Sequence, residues 1–231
     1  HYRKVVEAAA RHHIMIDNHE PAMPTGLQRT YPNLMTQEGV RGQEYNAWDT
    51  RGGNPPEHTA TLPFTRCLAG PVDFTPAIFN FSEVVEGTHP HSTLAKQLAE
   101  FVVLYSPLQI ANYEFHPALS FIESCPTTWS KTVVPNGVIG SYVTIARKER
   151  GGDTWFVGSL TGSDSREISL KLDFLDRDAV YEAFVYEDGE GADYQANPYS
   201  MGFRQVEVTA ASVLSLRLAR GGGAAIRIVK V

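Results

Sequence analysis

"HYRKVVEAAARHHIMIDNHE", residues 1–20, decides how the first half of this 231-residue chain is read. Tyr2, Val5, Val6, Ala9 and Ala10 recur at steps of three and four, which places them on one helical stripe over residues 1–13. The run "HIMIDNH", residues 13–19, is apolar, rich in isoleucine and ends in polar residues, as a short buried strand does. Helix, tight turn and buried strand form the repeating unit of a parallel α/β sheet. In barrels built from such units the reactive groups stand at the carboxyl ends of the strands, which singles out Asp17, His19 and Glu20.

Outward from that unit, residues 21–57 read as one long loop punctuated by five prolines (21, 24, 32, 55, 56) and five glycines (26, 39, 42, 52, 53). Loops of this length inside compact domains are usually functional or disordered. Leu27, Tyr31, Leu34, Tyr45 and Trp48 give this one the anchors an ordered loop needs, and it carries Glu38 and Glu44. "HTATLPFTRCLAG" reads as a helix, or a strand and loop, and "GPVDFTP" leads to Asp73. "STLAKQLAEFVVLYS", residues 92–106, predicts an amphipathic helix capped by Ser92 or Thr93 and ended before Pro107. "SPLQIAN" predicts a short strand and "HPALSFIESC" a closing helix.

After about residue 130 the period changes to two. "VIGSYVTIARKER", "GGDTWFVGSLTG", "REISLKLDFL", "VYEAFVYEDGE", "RQVEVTA", "VLSLRLA" and "AAIRIVKV" are read as alternating apolar and polar residues between Gly, Asp and Ser turns, the pattern of an antiparallel sandwich. The expected class is therefore α/β plus all-β. Residues 1–128 form part of a (β/α)8 barrel, and residues 129–231 form the β-sandwich. Only three or four strand–helix units fit before residue 128, whereas a whole barrel takes about 200 residues or more. The opening on His1, with neither methionine nor signal sequence, likewise suits a processed protein or a piece of a longer one.

Composition excludes some partners. A net charge of −6 argues against nucleic acid or an anionic membrane surface, and no apolar run is long enough to span a bilayer. Cys67 and Cys125 lack metal-site spacing and read as free thiols or small buried hydrophobes, with a single disulfide left open. No HxxxH or HExxH pair points to zinc.

The carboxylates carry the functional question. Glycosidic bonds are usually cleaved by two carboxyl groups, one protonating the leaving oxygen and the other acting as base or nucleophile. Glu20, Glu38 and Glu44 are candidates, with Asp17 and Asp73 behind them. Their spacing matches no helix or strand face, and most loop carboxylates are simply solvated. Oxygen donors from separate segments could also hold Ca²⁺, although no EF-hand loop is present. His19 could bond a sugar hydroxyl, while Tyr31, Tyr45, Trp48 and Phe74 suit either a sugar platform or a core.

"NHEPAMPTGLQRTYPNLMTQEGVRGQEYNAW" and "EHTATLPFTRCLAGPVDFTPAIF", continued by "YSPLQ", "ARKERGGDTWFVGSLTG" and "YEAFVYEDG", resemble glycoside hydrolase family 97 along essentially the whole chain. That resemblance implies the C-terminal portion of a calcium-dependent α-glucosidase, or of a related retaining α-galactosidase, in the periplasm or secreted. It also implies an α-linked oligosaccharide substrate and an N-terminal portion of the same polypeptide as the partner completing the barrel. In "GQEY", Glu44 matches the general acid, and in "NHE", Glu20 matches the general base of inverting members. Glu20, Glu38 and Glu44 together match calcium ligands, with His19 and Asp73 expected to bind substrate. Retaining members resemble "HG" where this chain has Glu20. A water held between base and anomeric carbon, and thus inversion, is the expected chemistry. "IANYEFHP" is shorter than the matching family segment, which implies a trimmed loop.

Overall fold

The structure, a computed structural model, describes residues 1–81, 88–109 and 118–231. Helix α1 spans Tyr2–Arg11 and strand β1 Ile16–Asn18. Within the stretch expected to be all loop lie a helical turn α2 (Leu27–Thr30), a strand β2 (Leu34–Gln37) and a 3₁₀ turn at Gln43–Ala47. β2 pairs with β1 in parallel, Asp17 facing Thr36, and Val72 continues the parallel order by bridging to Gln37. The described part of residues 1–128 thus shows three parallel chain passages and no closed barrel. Helix α3 (Glu57–Thr61) passes into two 3₁₀ turns, the helical option for that segment. "SPLQ" forms no strand, since Pro107–Gln109 is irregular, and "IANYEFHP" lies outside the described residues. The closing helix α5 is Leu119–Ser124.

Two apolar expectations change in detail. Ile14 and Met15 are exposed although their run reads as buried, because β1 has a described neighbour on one side only. Helix α4, Leu94–Val103, starts as expected with Thr93 as its cap, the side chain accepting from Lys96 N. It is buried nearly all round, however, with Lys96, Gln97 and Glu100 inside. A helix enclosed on every face keeps polar residues only where they find partners. The ammonium of Lys96 donates to the carbonyls of Pro56 (2.8 Å) and Thr161 (3.0 Å).

From Trp129 the chain builds the sandwich. β3 (Trp129–Val138), β4 (Tyr142–Glu149), β5 (Trp155–Thr161), β7 (Tyr181–Asp188), β8 (Met201–Val208) and β10 (Gly223–Lys230) form one antiparallel sheet, ordered β3-β4-β5-β10-β7-β8. β6 (Arg166–Lys171) and β9 (Val213–Leu218) form the second. The core between the sheets takes Trp155 and Val157 from β5, Ile226 and Ile228 from β10, and Ile168, Leu170, Leu214 and Leu216 from the small sheet. Phe156 and Leu160, on the opposite face of β5, pack with Leu98, Ala99, Val102 and Val103 of α4. Every residue of β5 is consequently buried.

The approach of α4 to this sheet is set by Gly158. A Cβ there would lie 2.5 Å from the Ala99 carbonyl oxygen and 2.8 Å from Val103 Cγ2, so only glycine lets the helix backbone settle on the strand. Gly158→Ala should cost about 1–3 kcal/mol, the usual range for overpacking. Urea unfolding checks this, with an unchanged midpoint the contrary result.

Candidate active site

The parallel order brings the carboxyl ends of three passages together. Glu38 N donates to Asn18 O (3.0 Å) and Asp73 N to Gln37 O (3.2 Å), so His19, Glu38 and Asp73 each emerge just past a strand end or bridge. Glu44 arrives from the 3₁₀ turn, whose Gln43 N donates to Phe74 O (2.8 Å). Two groups result, Asp17–His19–Asp73 and His19–Glu38–Glu44, each with its ligating atoms within 4.8 Å of one another. His19 is shared. Its Nε2 lies 2.9 Å from Asp73 Oδ2, and its Nδ1 lies 3.8 Å from Glu44 Oε2.

Glu20 behaves differently from the grouping expected of it. Its backbone N–H donates to Glu38 Oε2 (2.7 Å), but its carboxylate belongs to neither group, and the residue is exposed with φ +52°. The backbone turns out of β1 into the left-handed region at this residue. Asp73 also departs from its expected role. It is fully buried and holds His19.

The electrostatics follow from crowding. Burial pushes the Asp17 carboxyl up to about 7, helped by a hydrogen bond with the Asp73 carboxyl and by its charge. Burial lowers the His19 pKa, but the hydrogen bond to Asp73 and the charges of Asp73, Asp17 and Glu38 outweigh it, so the net shift is upward. The upward shift favours the protonated ring, whose charge would offset part of the local negative charge. For Asp17 the folded pKa exceeds the unfolded value, so folding favours the proton, and stability falls as pH rises from about 4 to 7. Asp17→Asn should remove that slope in urea titrations run with chelator. A wild-type slope equal to the variant's would contradict it.

Several residues that frame the site were not picked out from sequence. Arg66 is buried and donates to the carbonyls of Gln37, Gly70 and Pro71 at 2.8–3.0 Å, and to that of Glu38 at 3.3 Å, tying two of the three passages together. Asn54 Nδ2 donates to the carbonyls of Arg41 and Gly42, and Asn54 N donates to Asn46 Oδ1, bracing the Glu44 turn. Gly42 makes room for Glu38, whose Oε1 would lie 2.7 Å from a Cβ there. Arg41 locks the loop through Asp49, Gly53 O and the face of Tyr45. Arg29 stands exposed on α2.

Among the aromatics, Phe74 is core and Trp48 is exposed beside Tyr45, while the hydroxyl of Tyr31 donates to Glu7. Cys67 and Cys125 are free thiols. No helix among the described residues is long and apolar enough to cross a membrane.

The donor set fits an oxygen-liganded cation in part. Two carboxylates, Glu38 and Glu44, converge where like charges repel, and a divalent cation would relieve that repulsion. Calcium takes six to eight oxygens. Glu20, one residue from His19, could add its carboxylate by rotation, leaving the remaining positions to water or other oxygen donors.

Comparison with known proteins places these features. Residues 128–229 match a family model described as "Glycosyl-hydrolase 97 C-terminal, oligomerisation", and residues 1–40 match "Glycoside hydrolase 97". A retaining α-galactosidase of Bacteroides thetaiotaomicron is 31% identical over 97% of this chain and 35% of its own length. A family 97 enzyme from Pseudoalteromonas sp. strain K8, solved with acarbose, superposes with a TM-score of 0.93 at 45% identity, covering 100% of this chain and 37% of that one. A variant of a family 97 enzyme from the same strain, solved with panose, gives 0.93 at 44% over the same shares. The chain therefore spans about a third of the length of the relatives it matches.

Proposed function

The chain belongs to glycoside hydrolase family 97, and we propose that it supplies the general acid and a general base of a site cleaving α-glucosidic bonds with inversion. The observation carrying this is the meeting of Glu44 and Glu38 around His19 at the strand ends, with Glu20 exposed beside them. In this reading Glu44 is the general acid and Glu20 the general base, while His19 contacts a sugar hydroxyl and Asp73 fixes its ring. Glu38 and Glu44, with Glu20, would hold Ca²⁺, which when bound polarises sugar hydroxyls and keeps the carboxylates together. The acarbose- and panose-bound relatives support an α-linked oligosaccharide as substrate.

A second reading, a retaining α-galactosidase, is favoured by the name of the Bacteroides relative. Proton NMR of the first-formed anomer separates the two. Full-length enzyme releasing the β-anomer from an α-glucoside supports inversion. The α-anomer released from an α-galactoside overturns it.

A sugar-binding module without catalysis is the remaining alternative. Its place would be a groove of about 550 Å³ in the sandwich, where Phe203 is exposed beside the Arg204–Glu187 pair. Glycan binding with no hydrolysis by the full-length protein would select it. Residues 1–231 alone should give no measurable turnover of p-nitrophenyl α-glucoside, since they cover about a third of the family enzymes. Turnover by this chain would refute that.

A further inference from the structure

Behind the Glu44 turn, α4 and the loop before α3 enclose a void of about 10 Å³, lined by Gln43, Asn54, Thr59, Phe74, Lys96 and Glu100 among others. That is close to the room one water centre requires. The polar residues named are 1–5% exposed. Gln43 Nε2, Asn54 Oδ1, Thr59 Oγ1 and both oxygens of Glu100 lack a well-formed hydrogen bond, although Thr59 lies near enough to Glu100 to favour its charged form. Leaving buried polar atoms unsatisfied is costly, so this set calls for an occupant.

The surrounding bonds decide its chemistry. Asn54 N donates to Asn46 Oδ1 (2.6 Å), which fixes the Asn46 amide. Asn46 Nδ2 then donates to Gln43 Oε1 (3.3 Å), leaving Gln43 with its N–H group free to donate. Asn54 spends its own amide protons on the carbonyls of Arg41 and Gly42, so its oxygen is an unused acceptor. The unused set is one amide donor, three acceptor oxygens and a hydroxyl. A metal ion would meet the Gln43 N–H and the nearby ammonium of Lys96. A water, which both donates and accepts, meets no such conflict.

We propose that one buried water sits here, accepting from Gln43 and donating to Glu100 and Asn54, and that through it Glu100 positions the turn carrying Glu44. Helix α4 is a fixed reference, seated on β5 at Gly158 and joined to the sandwich by the Thr93–Asp188 hydrogen bond. Gln43 immediately precedes Glu44, so the water couples the proposed general acid to that reference. The inference rests on the reading of Glu44 as general acid. Glu100 and Gln43 are positioning residues and touch no substrate in it.

The test compares α-glucosides with sugar and with 2,4-dinitrophenyl leaving groups, using full-length Glu100→Gln, Gln43→Met and Glu44→Gln. A dinitrophenolate departs without protonation, so misplacing the acid costs little on that substrate. The two positioning variants should lose about 10-fold or more in kcat on the sugar leaving group, with little change on the aryl one and little change in KM. Glu44→Gln should show the same split more strongly. A missing split in Glu44→Gln sinks the general-acid reading. A split in Glu44→Gln alone, or equal losses on both substrates, overturns the present inference and leaves the other standing. Glu100→Gln could misfold by stranding Lys96, whereas Gln43→Met is neutral and of similar length. In a high-resolution crystal structure, a water bonded to Gln43, Asn54 and Glu100 supports the assignment. A dry void or a cation there overturns it.

Discussion

Glu44→Gln in the full-length enzyme should lower kcat on α-linked oligosaccharides by about 10²- to 10⁴-fold, the share that general acid catalysis contributes. The substitution preserves size and removes only the transferable proton. KM should change little, because the loss falls on a step completed in the transition state. The site imposes a condition on this role. An acid must hold its proton near neutral pH, and a cation on the same carboxylate opposes that by favouring the anion. An unchanged rate in Glu44→Gln would remove the residue from the mechanism.

The largest expected effect on folding belongs to Asp188, at the end of β7. Its Oδ1 accepts from Thr93 Oγ1 (2.5 Å) and its Oδ2 from the backbone N–H groups of Ala219 (2.7 Å) and Gly223 (2.9 Å). One buried carboxylate thus joins the cap of α4 to the turn between β9 and β10. Asp188→Ala strands three donors at once and should cost about 3–5 kcal/mol. Asp188→Asn keeps one acceptor oxygen but turns an amide against donors on the other side, so it should cost less than alanine and more than nothing. Urea unfolding of the three proteins gives the order. A loss below about 1 kcal/mol for Asp188→Ala would mean that water replaces the carboxylate.

How much of this was legible in the sequence depended on what each element faces. β6 and β9 keep one face in water, so their alternation is plain in "REISLK" and "VLSLRL". β5 is enclosed on both faces and does not alternate, and "WFVGSLT" shows its partner only through Gly158. Helix α4 could be placed and capped from sequence, but its Lys96 and Glu100 look like a solvent face and are inside. β2 is four residues long among prolines and glycines, too short for periodicity to separate it from loop.

The site was less legible still. Glu38 and Glu44 meet because parallel pairing aligns strand ends, which no local spacing encodes, and only likeness to a family grouped them beforehand. The link from His19 to Asp73 crosses fifty-four positions. Arg66 escaped notice because its partners are backbone carbonyls, whose positions depend on the fold rather than on residue type.

The seat of α4 on β5 bears on how such a protein can be assembled and rearranged. The sandwich lends one face of its large sheet to a helix encoded earlier in the chain, so the two regions share a core while their sequences look separable. A cut at residue 128 would bare Val143, Ile145, Phe156, Leu160 and Ala225 together. Such a surface invites aggregation rather than independent folding. The sandwich is therefore no portable cassette. A gene fusion that moved it elsewhere would have to carry α4 along, or furnish another helix to lie against the same glycine.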